Sequence, residues 1–386
     1  MYLLILAVIY VAFISLGLPD SLLGSAWPTL RVELDVPISY MGIVSMVISG
    51  GTVISGLMSE RLTKKFGTLT VTAVSVFLTG VALFGFSTGT SMLQLCLWSI
   101  PYGLGAGAID AALNNYVALH YNSRHMSWLH CFWGVGTIIS PYIMSYALVH
   151  MVWMDGYRIV SYVQFVITVL LVLSFPLWKV NRLPYEDVTG QAVLGVVGAL
   201  KIKGVPQLLL GFFAYCSAEC TAMLWVSSFM EVVRGATKTE AAAMGSLFFI
   251  GLTVGRFFAG FISDKMGDNR MIRLGTAIAL FDVFLLVFPI NTLSLVGFVI
   301  VGFGCAPIYP CIIHLTPSNF GAENSQAIIG IQMASAYIGA TFMPTVFGVL
   351  ADYLSLKIMP IYLAFFLLLS VIMVGKTEKL CQRKKS

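Results

Sequence analysis

The sequence predicts an all-α membrane protein with twelve transmembrane helices in two pseudo-symmetric six-helix bundles. Three observations lead there. Hydrophobic residues make up 58% of the 386 positions and charged residues 10%, which leaves a soluble domain too little charge to cover its surface. The apolar residues fall in runs near the ~20 residues needed to cross a bilayer. Motifs of the first half return in the second. The runs lie at 3–28, 40–59, 68–87, 92–119, 127–150, 158–178, 206–231, 241–262, 271–290, 293–315, 325–350 and 358–375.

The first span opens apolar, Met1-Tyr-Leu-Leu-Ile-Leu. It lacks the basic region and small-residue cleavage site of a signal peptide, so a retained helix is expected. Helical spacing sets Gly17, Asp20, Gly24 and Trp27 on one face of it. The second span ends in Gly51-Thr-Val-Ile-Ser-Gly56-Leu-Met-Ser59-Glu60-Arg61, and the third follows by length and apolarity alone. In the fourth, Gly103, Gly107, Asp110 and Asn114 share a face; small residues there suit a helix approached by a ligand or another backbone. This glycine run is not a nucleotide-binding turn, because no strand precedes it. The fifth span carries Trp128-Leu-His130-Cys-Phe-Trp133 and then Gly136-Thr-Ile-Ile-Ser-Pro141. The sixth closes an N-terminal bundle over 1–180.

A linker follows over 181–205, with Asn181-Arg-Leu-Pro-Tyr-Glu-Asp187 and a mildly apolar stretch, 188–203, suited to a short helix on the membrane surface. The C-terminal bundle is expected over 206–376, with a tail at 377–386. Its first span contains Glu219 and Trp225. The next ends in Gly255-Arg256-Phe-Phe-Ala-Gly260-Phe-Ile-Ser263-Asp264-Lys265. Asp282, in the ninth span, is expected to be structural. Tyr309 belongs to the tenth, and His314, like His120, is expected to be interfacial near a helix end. Gln332 and Gly339-Ala-Thr-Phe-Met-Pro344 belong to the eleventh.

The repetition is in register. The Gly51 motif returns at Gly255, Tyr102-Gly-Leu-Gly105 is echoed by Gly302-Phe-Gly304, and Gly136…Pro141 returns as Gly339…Pro344. Internal repeats of six spans suit a transporter that rocks one bundle against the other around a midplane site.

Net charge is +5, and its distribution speaks of topology. With both termini placed in the cytoplasm, Arg61, Lys64, Lys65, Arg124, Lys179, Arg182, Lys201, Lys203, Lys265, Arg270, Arg273 and the basic tail lie inside. Arg31, Arg158, Arg234, Lys238 and Lys357 lie outside, and Arg256 is left within a span. That bias sets both termini in the cytoplasm, and a multi-pass protein of the plasma (inner) membrane is expected. Cysteines 96, 131, 216, 220, 305 and 311 read as small apolar fillers. No cofactor, metal spacing or nucleic-acid partner is expected, and the chain is expected to be a monomer.

An ionisable group in hydrocarbon costs about 2.5–3.5 kcal/mol or more at a helix centre, so those retained there point to a cavity, a partner or a proton site. Asp20 and Asp110 suit proton coupling, because a buried carboxylate can take a proton on one side and release it on the other. Asp20, Asp110, Asn114, His130, Glu219, Trp225, Tyr309 and Gln332 are the candidate substrate ligands. Trp225 could stack on a sugar face or anchor at an interface.

These motifs resemble the major facilitator superfamily, whose signature after the second helix is matched by Gly56-Leu-Met-Ser-Glu60-Arg61-Leu-Thr-Lys64-Lys65-Phe-Gly67 and again by Gly260-Phe-Ile-Ser-Asp264-Lys265-Met-Gly267. Glu60 stands where the signature has Asp. The resemblance implies a cytoplasmic gate built from Glu60, Arg61, Arg256 and Asp264. Gly107-Ala-Ile-Asp110-Ala-Ala-Leu-Asn114, together with Asp20, is similar to the fucose–proton symporter branch, which implies substrate recognition and proton coupling by these two acids. His130 replaces a sugar-binding Gln of that branch. The function implied is proton-coupled import of a sugar or similar polyhydroxylated molecule by alternating access, with no enzymatic activity. Two alternatives stand beside it. A multidrug exporter is disfavoured by Ser140-Pro141-Tyr142-Ile143, where such exporters carry Gly-Pro and paired glycines. A non-transporting receptor would usually append a large soluble domain.

Overall fold

The computed structural model describes residues 2–37, 40–179, 193–288 and 291–385, and the side chains of these except 2, 238–246, 291–295 and 383–385. The elements are helices α1 (Tyr2–Asp20), α2 (Leu22–Glu33), α3 (Tyr40–Phe66), α4 (Thr68–Phe86), α5 (Met92–His120), α6 (Ser123–His150), α7 (Trp153–Leu173) and α8 (Phe175–Lys179). After them come α9 (Gly195–Lys201), α10 (Val205–Arg234), α11 (Lys238–Met266), α12 (Asp268–Leu285), α13 (Asn291–Cys305), α14 (Ile308–Phe320), α15 (Ala322–Tyr353) and α16 (Met359–Lys385).

Among the described residues, eleven helices are long and apolar enough to cross a membrane. The expected ninth span is the exception, because the 18 residues of α12 include Asp268, Arg270, Arg273 and Asp282. Its apolar row is nevertheless turned outward, with Phe281 62% and Phe284 58% exposed. Large exposed aromatics in a row suit lipid rather than water.

Two expected spans are each broken in two. The first bends at Ser21 between α1 and α2, one residue beyond Asp20 and two beyond Pro19. The tenth breaks between α13 and α14 at Ala306-Pro307. Proline cannot donate to the helix ladder, so such a break leaves carbonyls to be satisfied by side chains. Here the Tyr215 hydroxyl donates to the Cys305 carbonyl at 2.8 Å. The short helix expected within 188–203 is α9, whereas Asn181–Asp187 lie outside the described residues. The expected tail is helical through Lys385 as part of α16.

The chain divides into two compact units. Unit 1 holds Met1–Tyr116 and Phe132–Gly195; unit 2 holds Val117–Cys131 and Val196–Ser386. The ends of α5 and α6 facing the Tyr121 turn therefore belong with unit 2.

Unit 1 packs its helices through glycine. A Cβ on Gly136 of α6 would stand 2.3 Å from the Ile14 carbonyl oxygen, and one on Gly17 of α1 would stand 2.1 Å from that of Trp133. The two backbones touch where neither residue has a side chain. Leu18, Leu22, Trp27, Phe86, Trp153 and Tyr157 form a core beside this crossing. In unit 2, a Cβ on Gly339 of α15 would lie 2.7 Å from the Phe213 carbonyl oxygen of α10. The repeated glycines thus serve equivalent crossings, each inside its own unit. The motif glycines Gly67 and Gly267 are equivalent too, with φ of +80° and +78° as the chain turns into α4 and α12. A side chain is strained in that backbone region.

Candidate transport site

Asp20 takes its position from the α1–α2 break. Tyr102 of α5 donates its hydroxyl to Oδ1 at 2.8 Å, and Trp133 of α6 donates its indole N–H to Oδ2 at 2.8 Å. The residue is otherwise exposed. An ionised carboxylate accepts about four hydrogen bonds. Two neutral donors therefore orient it without cancelling its charge, and leave it able to accept from a hydroxyl or take up a proton. On the same break, Ser21 ties α2 to α6 through the Thr137 carbonyl at 2.7 Å.

Asp110 is buried, 4% exposed, and Asn114, one turn on, is 0% exposed. The Asn114 amide donates to Asp110 Oδ1 at 2.7 Å and to the Asp110 carbonyl at 3.0 Å. Asn114 thus acts on the carboxyl of its own helix. The small-residue stripe of α5 is covered by backbone: a Cβ on Gly107 would meet the Thr52 carbonyl oxygen at 2.2 Å, and one on Gly103 that of Ile48 at 2.2 Å. Of the two uses the sequence allows for that stripe, α3 takes the place of a ligand.

In unit 2, Glu219 near the centre of α10 pairs with Arg256 of α11, Oε1 to Nη2 3.2 Å, with side-chain exposures of 7% and 4%. Arg256, grouped with Asp264 in the expected gate, takes its carboxylate from the middle of a facing helix, α10. His130 packs edge-on against Tyr309 at 4.8 Å between ring centroids, and Tyr309 also packs against Phe212 at 4.7 Å. The Tyr309 hydroxyl points to Met333 Sδ at 3.3 Å. His130 and Tyr309 both belong to unit 2, whereas Asp20, Asp110 and Asn114 belong to unit 1.

Two other candidate ligands are engaged within the fold. Gln332 is fully buried and accepts from Thr316 at 2.8 Å, so its side chain faces α14 and not open space. Trp225 donates its N–H to the Pro344 carbonyl at 2.9 Å and packs edge-on against Phe347. Its indole nitrogen is thereby committed, and only part of the ring is open.

The expected gate residues also find other partners. Glu60 accepts from Lys64 at 2.7 Å and from the backbone N–H groups of Leu194 and Gly195 at 2.9 Å each. Arg61 is exposed. Asp264 accepts the Arg124 backbone N–H at 3.0 Å and faces the Arg124 guanidinium at 3.0 Å. Sequence reasoning missed Tyr102, Trp133, Lys64 and Arg124 as partners. Lys64 was open to inference, because i,i+4 is the spacing at which helix side chains meet.

The Major Facilitator Superfamily description matches residues 9–232 and 207–379, nearly the whole chain in two overlapping stretches. The chain belongs to the Major Facilitator Superfamily. Among its relatives, Bypass of stop codon protein 6 of Saccharomyces cerevisiae is 23% identical over 390 residues, covering 91% of this chain and 78% of that one. The Cis,cis-muconate transport protein of Acinetobacter baylyi is 23% identical over 370 residues, covering 88% and 86%. Among solved structures, the E. coli fucose:proton symporter FucP, in a singly substituted form, superposes with a TM-score of 0.78 at 16% identity, covering 97% of this chain and 99% of that one. The structural likeness gives the fold. The superfamily and its transporters make this a membrane transporter and not an enzyme.

Proposed function

We propose that the protein imports a sugar or similar polyhydroxylated small molecule together with protons, by alternating access, in a plasma (inner) membrane with both termini cytoplasmic. Two six-helix bundles, 1–180 and 206–376, would be the moving parts, and Glu60, Arg61 and Asp264 would act at the cytoplasmic face. The observation that carries the reading is Asp20: an exposed carboxylate at a helix break, oriented by two neutral donors at 2.8 Å. Such a group accepts hydrogen bonds from sugar hydroxyls, with the Trp133 ring beside it as an apolar surface. Asp110, buried with its neutral partner Asn114, is the companion proton site. The buried Arg256 is matched by Glu219, so an anionic substrate would have to displace an existing carboxylate. That favours a neutral substrate.

The test is a melting-temperature screen of purified protein against sugars and polyols, lipophilic cations and organic acids. A ligand that binds the native state raises stability by RT ln(1 + [L]/Kd). Sugars should stabilise the protein, and Asp20→Asn should reduce that shift. His130→Ala and Asn114→Ala should each weaken binding by about 1–3 kcal/mol, Asn114 by leaving Asp110 a partner short. Stabilisation by lipophilic cations alone would replace this reading with an exporter. Stabilisation by organic acids alone, lost in Arg256→Met, would replace it with an anion carrier.

A further inference from the structure

At the turn between α5 and α6, three consecutive anchors hold residues 121–124 to the rest of unit 2. Arg124 sits on Asp264. The Ser123 hydroxyl donates to Asp268 Oδ1. The Tyr121 carbonyl lies 3.1 Å from His314 Nε2, and His314 Nδ1 lies 2.7 Å from Asp268 Oδ2. A carbonyl can only accept, so Nε2 carries a hydrogen. The remaining proton is shared between Nδ1 and a carboxylate. On the ring it leaves both nitrogens as donors and the carboxylate as acceptor. The geometry is that of an imidazolium bridging two acceptors.

We infer that His314 is a proton-binding site whose occupancy fastens the segment 117–131 to unit 2. With the proton present, both ring nitrogens donate. With it gone, the ring has one N–H for two acceptors. If that hydrogen stays on Nε2, a bare lone pair faces the Asp268 carboxylate; if it moves to Nδ1, the Tyr121 carbonyl loses its donor. Either way one anchor is lost as pH rises through the range where histidine changes charge. The segment continues at both ends into unit 1, so the proton acts on a stretch of chain that is continuous with both units. In the proposed topology this is the cytoplasmic side, and the device is separate from Asp20 and Asp110.

The charged and titratable groups facing His314 are few. Among the described residues they are Asp268 from α12, Asp264 from α11 and Tyr121 from the segment, with Arg124 against Asp264, His125 against Tyr121 and Cys311 against Ser123 next to them. Asp264 and Arg124 offset each other as an ion pair at 3.0 Å. His125 is the competing titratable group. It lies edge-on to Tyr121 at 5.6 Å.

Cys311 supplies the reporter. It is 0% exposed, and its Sγ lies 3.9 Å from the Ser123 hydroxyl, so the segment covers it. In a full-length variant whose sole cysteine is Cys311, labelling by a membrane-impermeant maleimide is followed between about pH 6 and about pH 8.5. Each rate is divided by that of the denatured protein at the same pH, which removes the thiol's own reactivity. The normalised rate should rise about tenfold across that range, the change that one lost charged hydrogen bond gives. His314→Gln should show the high rate at both pH values, as should Asp268→Asn, while His125→Gln should keep the rise. A sole-cysteine Cys216 variant, 3% exposed in α10, reports unfolding by becoming labelled. If His314→Gln unfolds by that measure, Asp268→Asn, His125→Gln and the unsubstituted segment decide. A flat profile in the last, a rise that survives in folded His314→Gln, or a rise abolished by His125→Gln would each overturn the inference.

Discussion

The Glu219–Arg256 pair gives the most demanding test of the unit 2 interior. Both side chains are almost fully buried, at 7% and 4% exposure, and 3.2 Å apart. Removing one partner leaves the other charge buried without its counter-ion, which costs about 3–5 kcal/mol. Removing both charges and filling the space with apolar side chains of similar length is often neutral or stabilising. Glu219→Met and Arg256→Met should therefore each destabilise strongly, and the double variant should recover most of the loss. For a unit of this size about 1 kcal/mol moves the melting temperature by roughly 2–4 °C, so each single variant should melt roughly 10 °C lower. The internal control is Arg273–Glu378, a shorter pair at 2.6 Å whose arginine is 62% exposed. Water screens that contact, and breaking it should cost no more than about 1 kcal/mol. The assay is thermal unfolding in detergent across all four members of each double-mutant cycle. Single Glu219 and Arg256 variants that melt like the Arg273 variant, with no coupling in the cycle, would refute the argument that burial sets the strength of this pair.

Two more substitutions probe the carboxyls. Asp110→Asn keeps an acceptor for the Asn114 amide but cannot titrate, so it should abolish uphill uptake into energised vesicles while counterflow partly survives; uphill uptake at the wild-type level would remove Asp110 from proton coupling. Asp282 is 0% exposed, and neither carboxyl oxygen has a hydrogen-bond partner among the described residues. Asp282→Ala should thus raise the melting temperature by relieving a desolvation cost of about 1–3 kcal/mol, and a lower melting temperature would show that the carboxyl contributes to the native state.

The fold was legible because a bilayer imposes a coarse requirement. Each span must be long and apolar, and the repeat glycines fall where backbones cross, as Gly136 and Gly339 do. The expected pairing of charges departed from the structure for a reason that helix phase explains. Arg256 and Asp264 are eight residues apart on α11, which places them about 80° out of phase and about 12 Å apart along the axis. One therefore faces Glu219 on α10 while the other faces Arg124. Glu60 and Arg61, as neighbours, point about 100° apart, and Lys64 is the residue one turn away. The partners of Asp20 were beyond such reasoning. Tyr102 and Trp133 lie 82 and 113 residues along the chain, and a helix break, not a periodicity, brings the carboxylate to them.

The two units hold their central carboxylates in opposite electrostatic settings, and the contrast bears on where coupling would reside. Glu219 faces the Arg256 guanidinium at 3.2 Å, so the two opposite charges are matched within the pair. To protonate Glu219 would strand Arg256 as a buried cation, at the cost the double-mutant cycle measures. Among the described residues, the hydrogen-bond partners of Asp20 are a phenol and an indole. Both continue to donate to the other lone pairs when the carboxyl takes a proton, so the change of charge forces no buried group to lose its partner. Under the proposed reading a proton would bind and leave at Asp20 with little rearrangement, and an incoming sugar hydroxyl would meet an acceptor already aimed. Within the proposed cycle this assigns the titrating role to unit 1. The Glu219–Arg256 pair is left as a fixed, charge-matched element of unit 2, which an anionic ligand would have to break before it could bind there.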